Sequence, residues 1–303
     1  MSVEIRPLTS LRFFLALWVL LFHLRDSINI YPWFGSLLTL GYVAVPGFFV
    51  LSGTVLTWTY FSSGSKPLDL RKYSRARFAR IFPLYLLGFA LGLPLFLGKA
   101  MAAGTSGWSL MELIWPILAV LAMIQAWIPS WVLSVNSPAW SLSVEAFFYA
   151  MFPWLGEHIS RNKPSMVLVI AGMALLTSGA FAWSFALWVD LPEFSLPANQ
   201  VPNRHIILDV LRFNPVVHLM DFVIGICVGF FLVRQRILSS WILYGCFLLG
   251  GGGLMLVIIF SEYIPFLLAN GLLASCSFAL IIRALAGLPE KNICNNSGRR
   301  AFP

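Results

Sequence analysis

The chain has 303 residues, of which 59% are hydrophobic and only 11% are charged, and its formal net charge is +8. Soluble domains contain about 25% charged residues, so this composition excludes an ordinary soluble domain. The long apolar stretches are typical of a helical membrane protein and not of a membrane β-barrel, whose short strands alternate between apolar and polar residues. The cations lie mostly between the apolar stretches, which argues against nucleic-acid binding.

The first apolar stretch lacks the small-residue cleavage site of a signal peptide and contains Arg12. We therefore expect it to remain in the protein as a helix. The four cysteines have no spacing typical of a metal site or of a disulfide framework, so we expect neither.

Nine apolar stretches predict an all-α polytopic membrane protein with about nine transmembrane helices. Trp and Tyr recur near the ends of the stretches, as in the aromatic belts of membrane interfaces. We find no internal repeat and no soluble domain, so we expect one membrane domain of residues 1–285 and a short tail of residues 286–303. The predicted helices cover residues 8–24, 37–60, 81–98, 110–127, 140–155, 165–188, 215–233, 241–260 and 264–282.

The loop between the second and third predicted helices indicates the orientation. It contains six positive side chains and one negative side chain, and short loops rich in Lys and Arg face the cytoplasm. Two crossings precede this loop, so the N-terminus is expected in the cytoplasm as well. The charged residues of the loop are Lys66, Asp69, Arg71, Lys72, Arg75, Arg77 and Arg80.

Strict alternation of nine helices conflicts with this rule further along the chain. It places Arg161, Lys163, Arg234 and Arg236 on the outside. An incomplete crossing between Lys99 and Trp140 would bring all four to the cytoplasmic side, and membrane proteins tolerate irregular backbone where it is buried in protein. The uncharged stretch of residues 129–138, rich in Ser and Pro, is the candidate segment.

The first predicted helix carries Arg12 and His23, which is the eleventh residue after it. This spacing puts both side chains on one helical face, about 16 Å apart along the axis. Charged residues inside membrane helices usually face the protein interior and have a function. The second interpretation is that Arg12 extends to the lipid headgroups and His23 marks the other interface.

Arg77 and Arg80 end the basic loop and are neighbours on one helical face at the membrane boundary. A pair of guanidinium groups suits a phosphate-rich ligand, because each group can bind phosphate through two hydrogen bonds. The alternative is a positive-inside anchor that contacts anionic lipids.

Glu145 lies near the start of an apolar helix that begins at Trp140, and Tyr149 follows one turn later. An unpaired carboxylate in that place is costly, so it needs a cation, a hydroxyl or a proton. The alternative is an acid that complements the helix dipole, flanked by ordinary interfacial aromatic residues.

Two further apolar segments contain polar residues. Residues 41–53 combine three glycines with Ser52, which permits close helix packing or a backbone that faces a ligand. His218 and Asp221 are three residues apart, so they can share a helical face and form a hydrogen bond, or simply lie at an interface.

The order of these motifs resembles the membrane acyltransferase-3 family, which includes bacterial O-antigen and exopolysaccharide O-acetylases. Four motifs follow the family's order over residues 6–149, and looser similarity continues to about residue 285. The family usually has a tenth helix, whereas this sequence stops after the ninth apolar stretch, so we expect that helix to be missing and the chain to be truncated. The four motifs are Arg6, Arg12 and His23; residues 46–53; residues 77–83; and residues 140–149.

The resemblance implies a multi-pass enzyme of the bacterial inner membrane. It would transfer an acyl group, usually acetyl, from acyl-CoA to a hydroxyl of a surface glycan or a lipid-linked sugar, without a metal and without nucleic acid. A transporter or flippase of a sugar or lipid precursor, and an inactive truncated member of the family, remain as alternatives.

Each motif takes a role in this scheme. His23 would be the general base or the acylated nucleophile, Arg12 would stabilise the oxyanion or orient the thioester, and Glu145 would orient and balance the charge of one of them. Arg77, Arg80 and Ser52 would bind the acyl donor. Four further residues would contact the substrate or support the residues that do: Trp140, Tyr149, His218 and Asp221.

Overall fold

The structure is a computed structural model that describes residues 5–25, 32–62, 68–102, 110–188, 206–234 and 238–287. Helices make up most of these residues, which contain no strand, as expected for an all-α protein. Most of the predicted tail of residues 286–303 lies outside the described residues. The helices are α1 Arg6–Leu24, α2 Pro32–Thr39, α3 Ala44–Phe61, α4 Leu70–Ala102, α5 Leu110–Leu121, α6 Trp140–Arg161, α7 Pro164–Trp188, α8 Ile206–Phe213, α9 Leu219–Arg234, α10 Ser240–Ile259, α11 Phe266–Leu268 and α12 Ala274–Gly287.

Five helical segments in the described part of the chain are long and apolar enough to cross a membrane. Short 3₁₀ turns extend the helices at residues 40–43, 125–127 and 137–139, and a π-helical turn over residues 269–273 joins α11 to α12. The prediction of a polytopic helical membrane protein is therefore confirmed. The five segments are Arg6–Leu24, Leu37–Phe61, Leu70–Ala102, Ser240–Ile259 and Phe266–Gly287.

Helix α4 begins eleven residues earlier than the predicted helix of residues 81–98, because hydropathy does not detect a helical turn made of charged residues. Asp69 fixes the start of α4: its carboxylate accepts a hydrogen bond from the Lys72 N–H at 3.1 Å, and its carbonyl accepts one from the Tyr73 N–H at 2.9 Å. Arg77 and Arg80 are consequently part of one continuous 33-residue helix.

The predicted helix of residues 110–127 ends at Leu121, which leaves a 12-residue helix about 18 Å long, too short for a hydrocarbon core of about 30 Å. The chain then packs against the middle of α4. The Tyr85 hydroxyl donates to the Val120 carbonyl at 2.5 Å, and a Cβ atom on Gly92 would clash with the Val135 carbonyl. The helix predicted over residues 110–127 is therefore shorter than expected, and irregular backbone that packs on α4 separates α5 from α6.

The ends of several helices meet at one end of the bundle, which we call the basic end. The rings of Tyr60 in α3 and Tyr73 in α4 lie 5.1 Å apart, and a Cβ atom on Gly156 of α6 would lie 3.0 Å from the Phe61 ring. Arg234, the last residue of α9, donates to the Ser160 carbonyl at 2.9 Å. The ends of α6 and α9 therefore lie on the same side as the basic loop, in agreement with the incomplete crossing suggested by the sequence.

Helix α3 is the central element. In the apolar segment that contains it, 78% of residues are buried, against 11% for α1. It packs on α9 at close range, because a Cβ atom on Gly225 would clash with the Val50 carbonyl, and the Thr54 hydroxyl donates to the Gly225 carbonyl at 3.0 Å. Small residues permit this approach, as is common between membrane helices. The α3–α9 pair is the frame on which α1, α6 and α12 are placed.

Candidate active site

Arginines from α1 and α4 and a glutamate from α6 come together near the basic end. Arg12 is half-buried, and its charge is repelled by those of Arg80 and Arg77. It is attracted by Glu145, which lies within the same electrostatic neighbourhood. We call Arg12, Arg77, Arg80 and Glu145 the arginine cluster. The structure thus brings together four of the residues that the sequence indicated.

Two hydroxyl groups hold the Glu145 carboxylate in place. The Tyr149 hydroxyl, one turn later on α6, donates to Glu145 Oε1 at 2.5 Å, and the Ser52 hydroxyl of α3 donates to the same oxygen at 3.2 Å. Both contacts suit an ionised carboxylate, which is an acceptor only. Ser52 thereby contributes to the cluster by orienting Glu145.

Arg77 lies between aromatic rings. The carbon of its guanidinium group is 5.7 Å from the ring centres of both Tyr60 and Tyr149, within the range of cation–π attraction. The Tyr73 hydroxyl donates to the Tyr149 carbonyl at 2.9 Å, which joins α4 to α6 beside this arginine. Arg77 Nε is buried and has no hydrogen-bond partner among the residues that the structure describes. A buried donor left in this way is costly unless a ligand accepts from it.

The charges of the arginine cluster do not balance. Three guanidinium groups face one carboxylate, so the cluster has an excess of two positive charges. Positive charge that is partly removed from water is stabilised by a nearby anion. The cluster is therefore suited to an anionic ligand that reaches it from the basic end.

A pocket of about 240 Å³ opens beside Arg77 between α4 and α6, and we call it the α4–α6 groove. Arg77, Tyr73 and Ser74 lie on the side nearer the start of α4, and Tyr149 faces them from α6. The rest of the lining is apolar. It consists of Phe78, Ile81, Phe82, Met123, Ala146 and Ala150.

His23 lies near the C-terminal end of α1, away from Arg12 and the arginine cluster. There Phe22 packs on Gly41, and the Trp18 indole donates to the Leu37 carbonyl at 2.7 Å. The interpretation in which His23 faces the protein interior is wrong, because its side chain is exposed. Its Nδ1 is 2.8 Å from the Val19 carbonyl, an acceptor, so Nδ1 carries a proton. In the neutral ring Nε2 then keeps its lone pair and is accessible.

His218 and Asp221 lie in a second cluster that is fully buried, with exposed fractions of 4% and 3%. His218 Nδ1 is 3.0 Å from Asp221 Oδ2, and its Nε2 is 2.7 Å from the Arg212 carbonyl. The Ser275 hydroxyl of α12 donates to Asp221 Oδ1 at 2.5 Å. The His218 ring also contacts Trp140, with 5.6 Å between the ring centres. We call His218, Asp221 and Ser275 the buried triad; it links α9 and α12 to the first residue of α6.

Several of these residues were not identified from the sequence. Tyr60 and Tyr73 resemble ordinary interfacial aromatic residues. The contact of Tyr60 with Arg77 and the hydrogen bond of Tyr73 to the Tyr149 carbonyl reveal their place in the site. Ser275 lies with Ser277 in an apolar stretch, without a charge to mark it. Within the described ranges, no group of three His, Cys, Asp or Glu side chains could hold a metal ion.

The sequence matches the family model described as an acyltransferase domain over residues 7–302. The match covers nearly the whole chain and includes every residue of the arginine cluster. The chain belongs to the acyltransferase-3 family, as the sequence motifs predicted.

Two curated relatives are similar to parts of the chain. Acyltransferase MdmB of Streptomyces mycarofaciens is 31% identical over 242 residues, which cover 76% of this chain and 58% of the relative. Protein 2 in picA locus of Rhizobium radiobacter is 31% identical over 153 residues, 46% of this chain and 78% of the relative. No solved structure matches the chain at a significant level.

Proposed function

We propose that the protein transfers an acyl group, with acetyl as the first candidate, from acyl-CoA to a hydroxyl of a cell-surface glycan or a lipid-linked sugar. Family membership and the name of the first relative support the reaction class. The observation that carries the donor assignment is the excess positive charge of the arginine cluster together with the unpartnered Arg77 Nε. CoA is the polyanionic form in which cells carry activated acyl groups, so its phosphates match this charge.

In this proposal Arg77 and Arg80 bind the CoA phosphates. Arg77 offers its buried Nε, and Arg80 is exposed at the same end of the bundle. Arg12 adds a third positive charge, which the charge of Glu145 attracts. This changes the role expected for Arg12: it lies with the phosphate-binding residues, about 16 Å along α1 from His23, so it cannot also contact a carbonyl that reacts at His23.

His23 is the proposed proton acceptor. Nε2 takes the proton of the acceptor hydroxyl while the hydroxyl oxygen attacks the thioester carbon, and the carbon–sulfur bond breaks as the tetrahedral intermediate collapses. The imidazolium then returns the proton to the CoA thiolate. The bond between Nδ1 and the Val19 carbonyl supports this role because it leaves the lone pair on Nε2. The pantetheine arm has a length comparable to the distance between the arginine cluster and His23.

The buried triad supports the site without taking part in proton transfer. Both His218 nitrogens face acceptors, so neither offers a lone pair to a substrate. The His218 ring packs on Trp140 of α6 and on Phe49 of α3, with 5.1 Å between the ring centres of Phe49 and His218. The triad thereby supports the helices that carry Glu145 and Ser52.

The proposed orientation places the basic end and the N-terminus in the cytoplasm of a bacterial inner membrane. The basic loop, Arg161 and Arg234 lie at the same end of the bundle. This arrangement supports the proposed orientation, because short cation-rich segments then all face the cytoplasm. CoA is cytoplasmic, so the donor would enter at the arginine cluster and the acceptor would meet His23 near the other face.

Acyl transfer by the purified protein tests the proposal. The full chain in lipid nanodiscs, incubated with radiolabelled acetyl-CoA and surface glycan from cells that lack the gene, should produce labelled glycan with an alkali-labile ester. Cells without the gene should have less ester-linked acetyl on the glycan than cells with it. Glycan that stays unlabelled by every acyl-CoA tried, with unchanged acetyl content in the cells, would contradict the proposal.

A further inference from the structure

We propose that the α4–α6 groove binds the adenine ring of the CoA donor, next to the phosphates held by the arginine cluster. This inference rests on the proposed function, because it assigns the nucleotide end of the same donor. It gives the groove one occupant and makes Phe78, on the α4 side of the groove, the residue that recognises the base.

The position of Arg77 decides which part of the donor can reach the groove. Arg77 lines the groove and also belongs to the arginine cluster, so an occupant of the groove must be joined closely to the anion held there. In acyl-CoA the adenosine is bonded directly to the diphosphate. The acyl group lies at the far end of the pantetheine arm, which in our proposal leads away along α1 toward His23.

The α4 side of the groove presents flat aromatic surface. The rings of Phe78 and Phe82 are stacked, with centres 4.4 Å apart and planes inclined by 21°. The Phe78 side chain is 60% exposed, so its free face is available to a ligand. Bases stack on exposed aromatic side chains without any sequence-specific hydrogen bond. Across the groove, next to Tyr149, α6 presents the small side chains of Ala146 and Ala150, which leave room for a planar ring.

Met123 is a lining residue with an unusual backbone. Its φ angle is 57°, a left-handed conformation that is uncommon for residues other than glycine. The Ser143 hydroxyl of α6 donates to the Met123 carbonyl at 2.6 Å and keeps this conformation in place. Backbone strain of this kind is concentrated at binding sites, and a methionine side chain adapts to the irregular edge of a ligand.

The size of the groove suits one part of the donor. Pockets that enclose a whole small-molecule ligand usually have about 300–1,000 Å³. A groove of about 240 Å³ is therefore too small for the complete CoA molecule and adequate for its base. The groove is open on one side, so the polar edge of the adenine keeps contact with water and with the Ser74 hydroxyl at the rim.

Binding of two ligands by the full chain in nanodiscs tests the inference without depending on catalysis. CoA contains the adenosine, whereas 4′-phosphopantetheine keeps one phosphate and the arm and lacks the nucleoside. We expect Phe78→Ala to raise the Kd of CoA about tenfold or more, because that is the usual size of one base–aromatic stack, and to leave the Kd of 4′-phosphopantetheine unchanged. Phe78→Trp keeps an aromatic ring and should bind CoA about as tightly as the unchanged protein. Ala150→Leu narrows the groove and should raise the Kd of CoA without changing that of 4′-phosphopantetheine.

A matched control and three outcomes complete the test. Phe247→Ala removes another exposed phenyl ring, on α10, 46% exposed and outside the site, and this variant should bind both ligands as the unchanged protein does. An equal loss for both ligands in Phe78→Ala, or no loss for either, would overturn the groove assignment and leave acyl transfer in place. Another outcome is that the unchanged protein binds acyl-CoA more tightly as the acyl chain lengthens and that Ala150→Leu abolishes this preference. That result would assign the groove to the acyl group and overturn the adenine assignment. An unchanged protein that binds neither ligand would overturn the donor assignment as well.

Discussion

The arginine cluster and the buried triad are both polar groups within apolar helices, but they differ in how far their polar atoms are satisfied. The cluster has two positive charges in excess and a buried donor, Arg77 Nε, with no partner in the described ranges. In the buried triad both His218 nitrogens and both Asp221 oxygens have partners, and each side chain is at most 5% exposed.

This difference separates binding from support. A cluster with unsatisfied groups gains from a ligand that completes it, whereas a satisfied cluster gains nothing from a ligand and instead fixes the helices that contribute to it. The two histidines follow the same division. His23 is exposed with an accessible Nε2, and His218 is enclosed with both nitrogens bonded. We expect substitutions in the first group to change activity and substitutions in the second to change stability.

Replacement of His23 should have the largest effect on activity. His23→Ala should lower kcat by about 10²–10⁴-fold, the usual contribution of a positioned general base, because no other group takes the proton of the acceptor. The free energy of unfolding should stay close to that of the unchanged protein. Initial rates with labelled acetyl-CoA and glycan, measured beside a denaturation curve in detergent, check both expectations.

His158 offers a matched control for this prediction. It is also an exposed histidine, near the end of α6, and stacks on Trp154 with 5.8 Å between the ring centres. His158→Ala should keep the activity of the unchanged protein. Equal activity in the His23 and His158 variants would remove His23 from the mechanism.

Removal of the Asp221 carboxylate should have the largest effect on stability. Asp221→Ala leaves His218 and Ser275 without their common partner inside the bundle, which should cost about 3–5 kcal/mol in the free energy of unfolding. Asp221→Asn keeps a hydrogen-bonding side chain of the same shape and should cost less. Chemical denaturation in mixed micelles measures both values. A fully stable Asp221→Ala protein with a raised donor KM would place Asp221 in the binding site instead.

Removal of the Ser275 hydroxyl should have the smallest effect. Ser275→Ala deletes one hydrogen bond to Asp221 and keeps the packing of α12, so we expect a loss of about 1–2 kcal/mol in stability. The KM for the donor should not change. A thermal melt and a donor titration on the same preparation suffice, and a donor KM that rises while the melt stays constant would contradict the division between the two groups.

Much of the site followed from the sequence because charge is conspicuous in an apolar chain. The spacing of Arg12, Arg77, Arg80 and Glu145 matched a family pattern, and the structure brings the four together from three helices. The proximity of His218 to Asp221 followed from helical periodicity alone, since residues three apart share a face.

The remaining features depend on contacts that sequence patterns do not contain. Hydropathy could not show that α5 ends at Leu121, because the irregular segment after it is stabilised by contacts with Tyr85 and Gly92 of α4. It could not identify Ser275 either, since one hydroxyl hardly changes the hydropathy of its stretch. The burial of His23 was predicted wrongly, because a shared face with Arg12 does not mean that the neighbouring helices cover both ends of α1 equally.

The central claim is that the excess positive charge of the arginine cluster binds the anionic donor, and calorimetric titration of CoA tests it most directly. Arg77→Ala should weaken CoA binding by about 1–3 kcal/mol, and Arg77→Lys should also be impaired because an ammonium group lacks the paired donors of guanidinium. Glu145→Gln removes the negative charge of the cluster and should bind CoA at least as tightly as the unchanged protein. Unchanged CoA affinity in both Arg77 variants, or a marked loss in Glu145→Gln with the fold intact, would contradict the account.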